Sequence, residues 1–134
     1  MASGESRYPQ DWFRIAAKDL QRVARRLAEK DVDDAAFRLQ QAVEKGLKGF
    51  LLARGWRLKR VHDLELLLSD AVRHDRGLER YRLFCRQVAS YYILERYPTL
   101  EESPSLAEVR DAYAQARTLV RKLRSRGSWG RRRA

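Results

Sequence analysis

Arg57 and His62 stand five positions apart, in and just after a short basic stretch, Arg54-Gly-Trp-Arg-Leu-Lys-Arg60. An arginine can hold a phosphate through two parallel hydrogen bonds. A histidine titrates near neutral pH and can take a proton from a ribose hydroxyl. Together they are the minimum set for cutting RNA without a metal. The pair also has a purely structural reading. A chain with 29 Lys and Arg sets an Arg near any His, and His62 can simply support its loop while Asp63 caps the next helix.

Two further groups of residues can do chemistry. Gln41, Glu44, Lys45 and Lys48 share one face of a helical stretch. Glu44 and Lys48 are four apart with the acid first, the favourable order for a helical ion pair. A solvated face is the ordinary explanation of such a set. In Tyr91-Tyr92-Ile-Leu-Glu-Arg-Tyr97-Pro98, Arg96 beside Tyr97 at a helix end can line a cleft for a base or a phosphate. The tyrosines otherwise serve a core or an interface. Two histidines, one cysteine and scattered carboxylates give no metal-ligand spacing. There is no phosphate-cradling glycine loop ahead of a helix and no Ser-His-Asp or Cys-His set. The sequence thus argues against an ordinary hydrolase or kinase and implies no cofactor and no metal.

The elements that must position these residues are helices. Pro9 can open the first, where its missing N–H does no harm. Trp12 or Phe13, Ala16, Leu20, Val23 and Leu27 then repeat at three and four, to an end near Lys30. Asp31 to Asp34 form an acidic link and put negative charge at the start of helix two. Helix two carries Ala36, Gln40, Val43, Leu47, Phe50 and Leu51 on its inner face, is read from Phe37, and is stopped by Gly55. Asp63 caps a third helix with Leu64, Leu67, Leu68 and Ala71 inward. A turn follows near Gly77. Helix four bears Tyr81, Phe84, Cys85, Val88, Tyr91 and Tyr92 and ends at Pro98. Ser105 and Glu108 read as a capping box for helix five, whose stripe runs from Leu106 to Leu123. With no strand alternation, the fold class is all-α: an up-and-down antiparallel bundle of four to five helices over residues 9–124, followed by a basic flexible tail, 125–134.

The chain of 134 residues is one domain's worth. Its single cysteine, Cys85, cannot form an internal disulfide and reads as a small core residue. No apolar run reaches the length that spans a bilayer, and the N-terminus lacks a signal-peptide pattern. A cytoplasmic protein with no membrane association is expected. The formal charge is +11, but eight basic residues and no acid lie between Arg117 and Ala134, leaving +3 for the first 116 residues. Such an end draws phosphate polyanions or serves as a solubilising terminus. Tyr91 beside Tyr92, and Leu66 beside Leu67, cannot all enter one core. A second buried surface would take the surplus, and a two-fold homodimer is the commonest way to provide one.

These residues carry a resemblance. Trp12…Ala16…Asp19-Leu20, Phe37…Gln40-Gln41-Ala42…Glu44-Lys45…Leu47-Lys48, His62-Asp63-Leu64…Leu67 and Tyr92…Arg96-Tyr97-Pro98 follow one another as in the small prokaryotic HEPN domains. The match runs from about Trp12 to Leu123, and its most specific part is the Gln-Gln-Ala-x-Glu-Lys-x-Leu-Lys run with the His-Asp-Leu after it. The resemblance implies a helical bundle that dimerises and works with nucleotides or RNA. It also implies a minimal nucleotidyltransferase partner in a toxin–antitoxin-like pair, and a fold similar to the helical domain of kanamycin nucleotidyltransferase. Toxin-type members carry Arg followed by His four to six positions later, late in the bundle. The comparable stretch here, Arg96 to Ser103, has no His, so the chain resembles the partner-binding branch. The implied nucleotide- and partner-binding residues are Gln41, Glu44, Lys45, His62, Asp63, Arg96 and Tyr97. Arg57 and His62 are the catalytic pair of the alternative, a metal-independent ribonuclease.

Overall fold

The computed structural model describes residues 6–57, 59–92 and 103–132, with side chains as far as Gly127. Among the described residues there are five α-helices: α1 (Pro9–Ala28), α2 (Val32–Ala53), α3 (Leu64–Val72), α4 (Arg82–Ala89) and α5 (Leu106–Arg132). A 3₁₀ turn over Arg76–Tyr81 joins α3 to α4. Among the described residues there is no strand, and no helix is long and apolar enough to cross a membrane. The all-α helical bundle expected from the periodicities is the observed architecture.

The first hairpin is set by its caps. At the end of α1 the Asp31 N–H donates to Arg26 O at 2.8 Å and the Lys30 N–H to Leu27 O at 3.0 Å. This double bond pattern needs a left-handed residue between helix and link, and Lys30 supplies it with φ 60°. Asp31 then caps α2, accepting from the Asp34 N–H. Helix two therefore begins five residues before Phe37, and Asp33 and Asp34 stand in its first turn rather than in a link. Gly55 closes α2 at φ 86°, with the Trp56 N–H on Leu51 O at 2.9 Å and the Gly55 N–H on Leu52 O at 3.1 Å.

Phe13, near the start of α1, touches Gly49 near the end of α2, so the two helices run antiparallel. α5 runs beside α2 in the same direction: Gly46 meets Val120 and Leu123, and Gly127 meets Ala53 and Phe13. One continuous core joins the helices, from Ala16, Val23 and Leu39 through Leu64, Leu68 and Val88 to Ala112 and Leu119. Cys85 is a core residue, and burial pushes its thiol up to about 12, so it stays protonated and unreactive.

Two local expectations change. The Ser105 hydroxyl accepts from the Glu108 N–H at 3.0 Å, as a cap should, but the Glu108 carboxylate turns away to accept from the Tyr91 hydroxyl at 2.6 Å and from Gln87 at 3.3 Å. Burial and that carboxylate raise the Tyr91 phenol above its ordinary value. As expected of adjacent side chains, Tyr91 enters the core while Tyr92 lies against Phe37 and His62. Finally, α5 does not stop at residue 124, where a basic flexible tail was expected to begin. The helix runs to Arg132. Gly127 explains the continued packing: lacking a Cβ, it lets α5 close on Phe13 and Ala53, where a Cβ would stand 3.2 Å from Phe13 Cζ. Arg126 pairs with Asp75 beside it.

Candidate functional site

α2 places Gln40, Glu44 and Lys48 in one line at successive intervals of four, with Lys48 at the end of the line beside Trp12 of α1. They are inside the protein, not on a solvated face: Glu44 is 2% exposed, Lys48 1% and Gln40 fully buried. Charges taken out of water are tolerated when they are paired and their remaining hydrogen-bonding positions are filled. Here they are. Glu44 Oε2 accepts from Lys48 Nζ at 3.0 Å, and Oε1 accepts from Gln40 Nε2 at 3.2 Å. Gln40 Oε1 accepts from Gln41 Nε2 at 2.6 Å, and Gln41 Oε1 accepts from Lys45 Nζ at 3.2 Å. The Lys48 ammonium also lies 5.6 Å from the Trp12 ring centroid, within cation–π range.

His62 joins this chain from the loop after α2. Its Nδ1 lies 3.0 Å from Glu44 Oε2. A carboxylate at Nδ1 favours the proton there, which leaves Nε2 of the neutral ring as the outward-facing base or acceptor. The imidazole is 59% exposed and lies nearly parallel to Tyr92, with centroids 5.8 Å apart; Tyr92 in turn meets Phe37 at 6.1 Å. A buried carboxylate and an aromatic neighbour thus hold an exposed ring.

Gln41, Glu44, Lys45 and His62 border one recess with Trp12, Lys48 and the start of α1, with a volume of about 400 Å3. Its other wall is Ser6, Asp11, Arg14 and Ile15. Asp11 pairs with Arg14 at 2.9 Å, and the Ser6 hydroxyl, then Arg14, holds its carboxyl below the ordinary value. Lys48 is occupied by Glu44. Lys45 alone among the recess cations has no carboxylate partner among the described residues.

Of the remaining sequence candidates, Asp63 and Arg57 lie outside the recess lining. Asp63 is exposed and serves α3, accepting from the Glu65 N–H at 2.9 Å and the Leu66 N–H at 3.4 Å. Arg57 is exposed, does not line the recess, and makes no hydrogen bond to His62 among the described residues. Arg96 and Tyr97 fall outside the described residues. The structure adds Trp12, Lys48 and Gln40, which sequence spacing alone assigns to the core or to a face. Their signal is a line of polar residues, Gln40 and its neighbours four and eight positions on, next to an otherwise apolar stripe.

A helical bundle whose second helix buries a charged network beside a polar recess defines the class. The HEPN domain profile matches residues 9–126, and the chain belongs to the HEPN family. Among solved structures, the chain resembles ST0689, described as an archaeal HEPN homologue. The TM-score is 0.73 at 20% identity, covering 90% of this chain and 98% of that one. It also resembles TT1696 from Thermus thermophilus, with a TM-score of 0.70 at 28% identity over 91% and 97% of the two chains. No curated protein matches the sequence.

Proposed function

We propose that this HEPN protein is a nucleotide-binding and partner-binding module whose recess between α1, α2 and His62 receives a nucleotide phosphate. The observation that carries this is Lys45, with no carboxylate partner among the described residues, lining the same recess as an imidazole fixed by a buried carboxylate. Lys45 supplies the charge and His62 Nε2 a directed polar contact. The volume falls within the range of small-molecule sites, about 300–1,000 Å3. The partner, following the resemblance, is a minimal nucleotidyltransferase in a toxin–antitoxin-like pair. Self-pairing is part of the same proposal: Leu66 and Leu83 are 59% and 72% exposed, and a second copy would cover such surplus.

Isothermal titration of nucleoside triphosphates into the protein, alone and with the transferase, tests the reading. Heat is expected in at least one case, with Lys45→Ala weakening binding about tenfold, near 1.4 kcal/mol. No heat in either case and no complex on a sizing column would remove the proposal. Light scattering of the chain alone should report a dimer, and a monomer at micromolar concentration would remove self-pairing.

One observation keeps a second reading in view, the metal-independent ribonuclease. Glu44 orients His62 as a general base is oriented, with Arg57 the nearby cation in sequence. That reading expects RNA cleavage in EDTA that vanishes in His62→Ala. Cleavage that survives this substitution eliminates it.

A further inference from the structure

A second cleft, of about 370 Å3, lies on the opposite flank of α1, between it and α5. Its floor is Phe13, Leu20 and Val120. Each is less than a tenth exposed, so an apolar partner seated there would remove little further apolar surface from water. What the cleft offers is charge. Arg117, Arg121 and Arg124 line it at intervals of four and three, and Arg110 falls on the same stripe of α5 by helical spacing. All four are exposed. Among the described residues none has a carboxylate in ion-pair range. Of the two acids of α5, Glu108 falls on the far side of the helix by the same spacing, and Asp111 about a quarter-turn from the stripe. Half-buried Tyr113 sits in the cleft with the Arg117 guanidinium 5.6 Å from its ring centroid.

A row of unpaired guanidinium groups beside one aromatic ring is the combination that tracks a phosphate backbone while a base stacks. The rise of the helix sets successive arginines about 6 Å and about 4.5 Å apart along the axis, a row that a flexible strand can follow. We propose that the α1/α5 cleft binds single-stranded nucleic acid by its sugar-phosphate backbone, without reading base sequence. Among the described residues no histidine, cysteine or carboxylate lines the cleft, so the proposal is of binding alone. The proposal does not depend on what the recess binds.

The test is fluorescence anisotropy of a labelled oligothymidylate of about 20 nucleotides, long enough for any single-domain site, between about 50 and 200 mM salt. Four arginines on a single strand predict a log–log salt slope of about −3. Arg117→Gln/Arg121→Gln/Arg124→Gln should weaken binding about tenfold or more and flatten the slope by about 2. Arg121→Gln alone should flatten it by about 0.7. These side chains are exposed, and an unchanged circular dichroism spectrum checks the fold. Arg131→Gln/Arg132→Gln/Arg133→Gln removes the same charge beyond the cleft and should cost less than the cleft variant. A loss from this control equal to or greater than that of the cleft variant would overturn the proposal. So would displacement of the oligonucleotide by polyglutamate at equal charge, which would make the cleft a site for acidic protein.

Discussion

Glu44→Gln is expected to destabilise the protein by about 3–5 kcal/mol, the range for removing one partner of a buried ion pair. The variant keeps the size of the side chain but leaves the Lys48 ammonium, 1% exposed, without its counter-charge. Urea denaturation at neutral pH checks this. Glu44→Leu/Lys48→Met should recover most of the loss, because replacing both charges by apolar groups removes the desolvation cost along with the pairing. In that double variant His62 has lost its Nδ1 partner, so nucleotide binding should stay impaired while the fold returns. A Glu44→Gln protein within about 1 kcal/mol of wild type would mean that Glu44 and Lys48 do not face each other in the interior.

Gly49→Val should cost about 1–3 kcal/mol through overpacking. A Cβ at Gly49 would stand 3.0 Å from Phe13 Cε1, and one at Gly127 would stand 3.2 Å from Phe13 Cζ. The Phe13 ring is thus clasped between two glycines on different helices and cannot retreat from either. Gly49→Ala adds the same contact against a helix-propensity gain of about 1 kcal/mol. It should therefore lose less than Gly49→Val, and Phe13→Leu should relieve both. A Gly49→Val protein as stable as wild type in urea would place α1 farther from α2 than described. The recess would then lose its wall as well, since Trp12 and Ile15 belong to the same end of α1.

The helices were legible because their apolar repeats are strong and their boundaries are chemical. Asp63 and Ser105 each accept from the N–H groups that cap geometry requires, and Gly55 takes the left-handed turn expected of it. The early start of α2 was hidden by Asp31 to Asp34, which read as a link although one caps and two occupy the first turn. The 3₁₀ turn at Arg76–Tyr81 has too few residues to show a period.

At the site, the polar set of α2 was visible, but its burial was not. Helical spacing places Glu44 and Lys48 on a face and says nothing of what α1 brings against that face. Only packing shows that Trp12 covers Lys48. His62 was visible as a titratable group, and its partner was not, because Glu44 lies 18 positions away across a loop. The Glu108 carboxylate fits two local patterns, a capping box and a tertiary hydrogen bond, and the buried Tyr91 hydroxyl takes it.

The central claim is that the α1/α2 recess is where a nucleotide sits. Residue-resolved NMR during titration with a nucleoside triphosphate tests it most directly. Saturable shifts are expected at the Trp12 indole, the Gln41 amide and the His62 ring, with Tyr113 and Arg117 across α1 moving less. A saturable response that leaves Trp12, Gln41 and His62 unmoved, or none with the transferase present, would contradict the account.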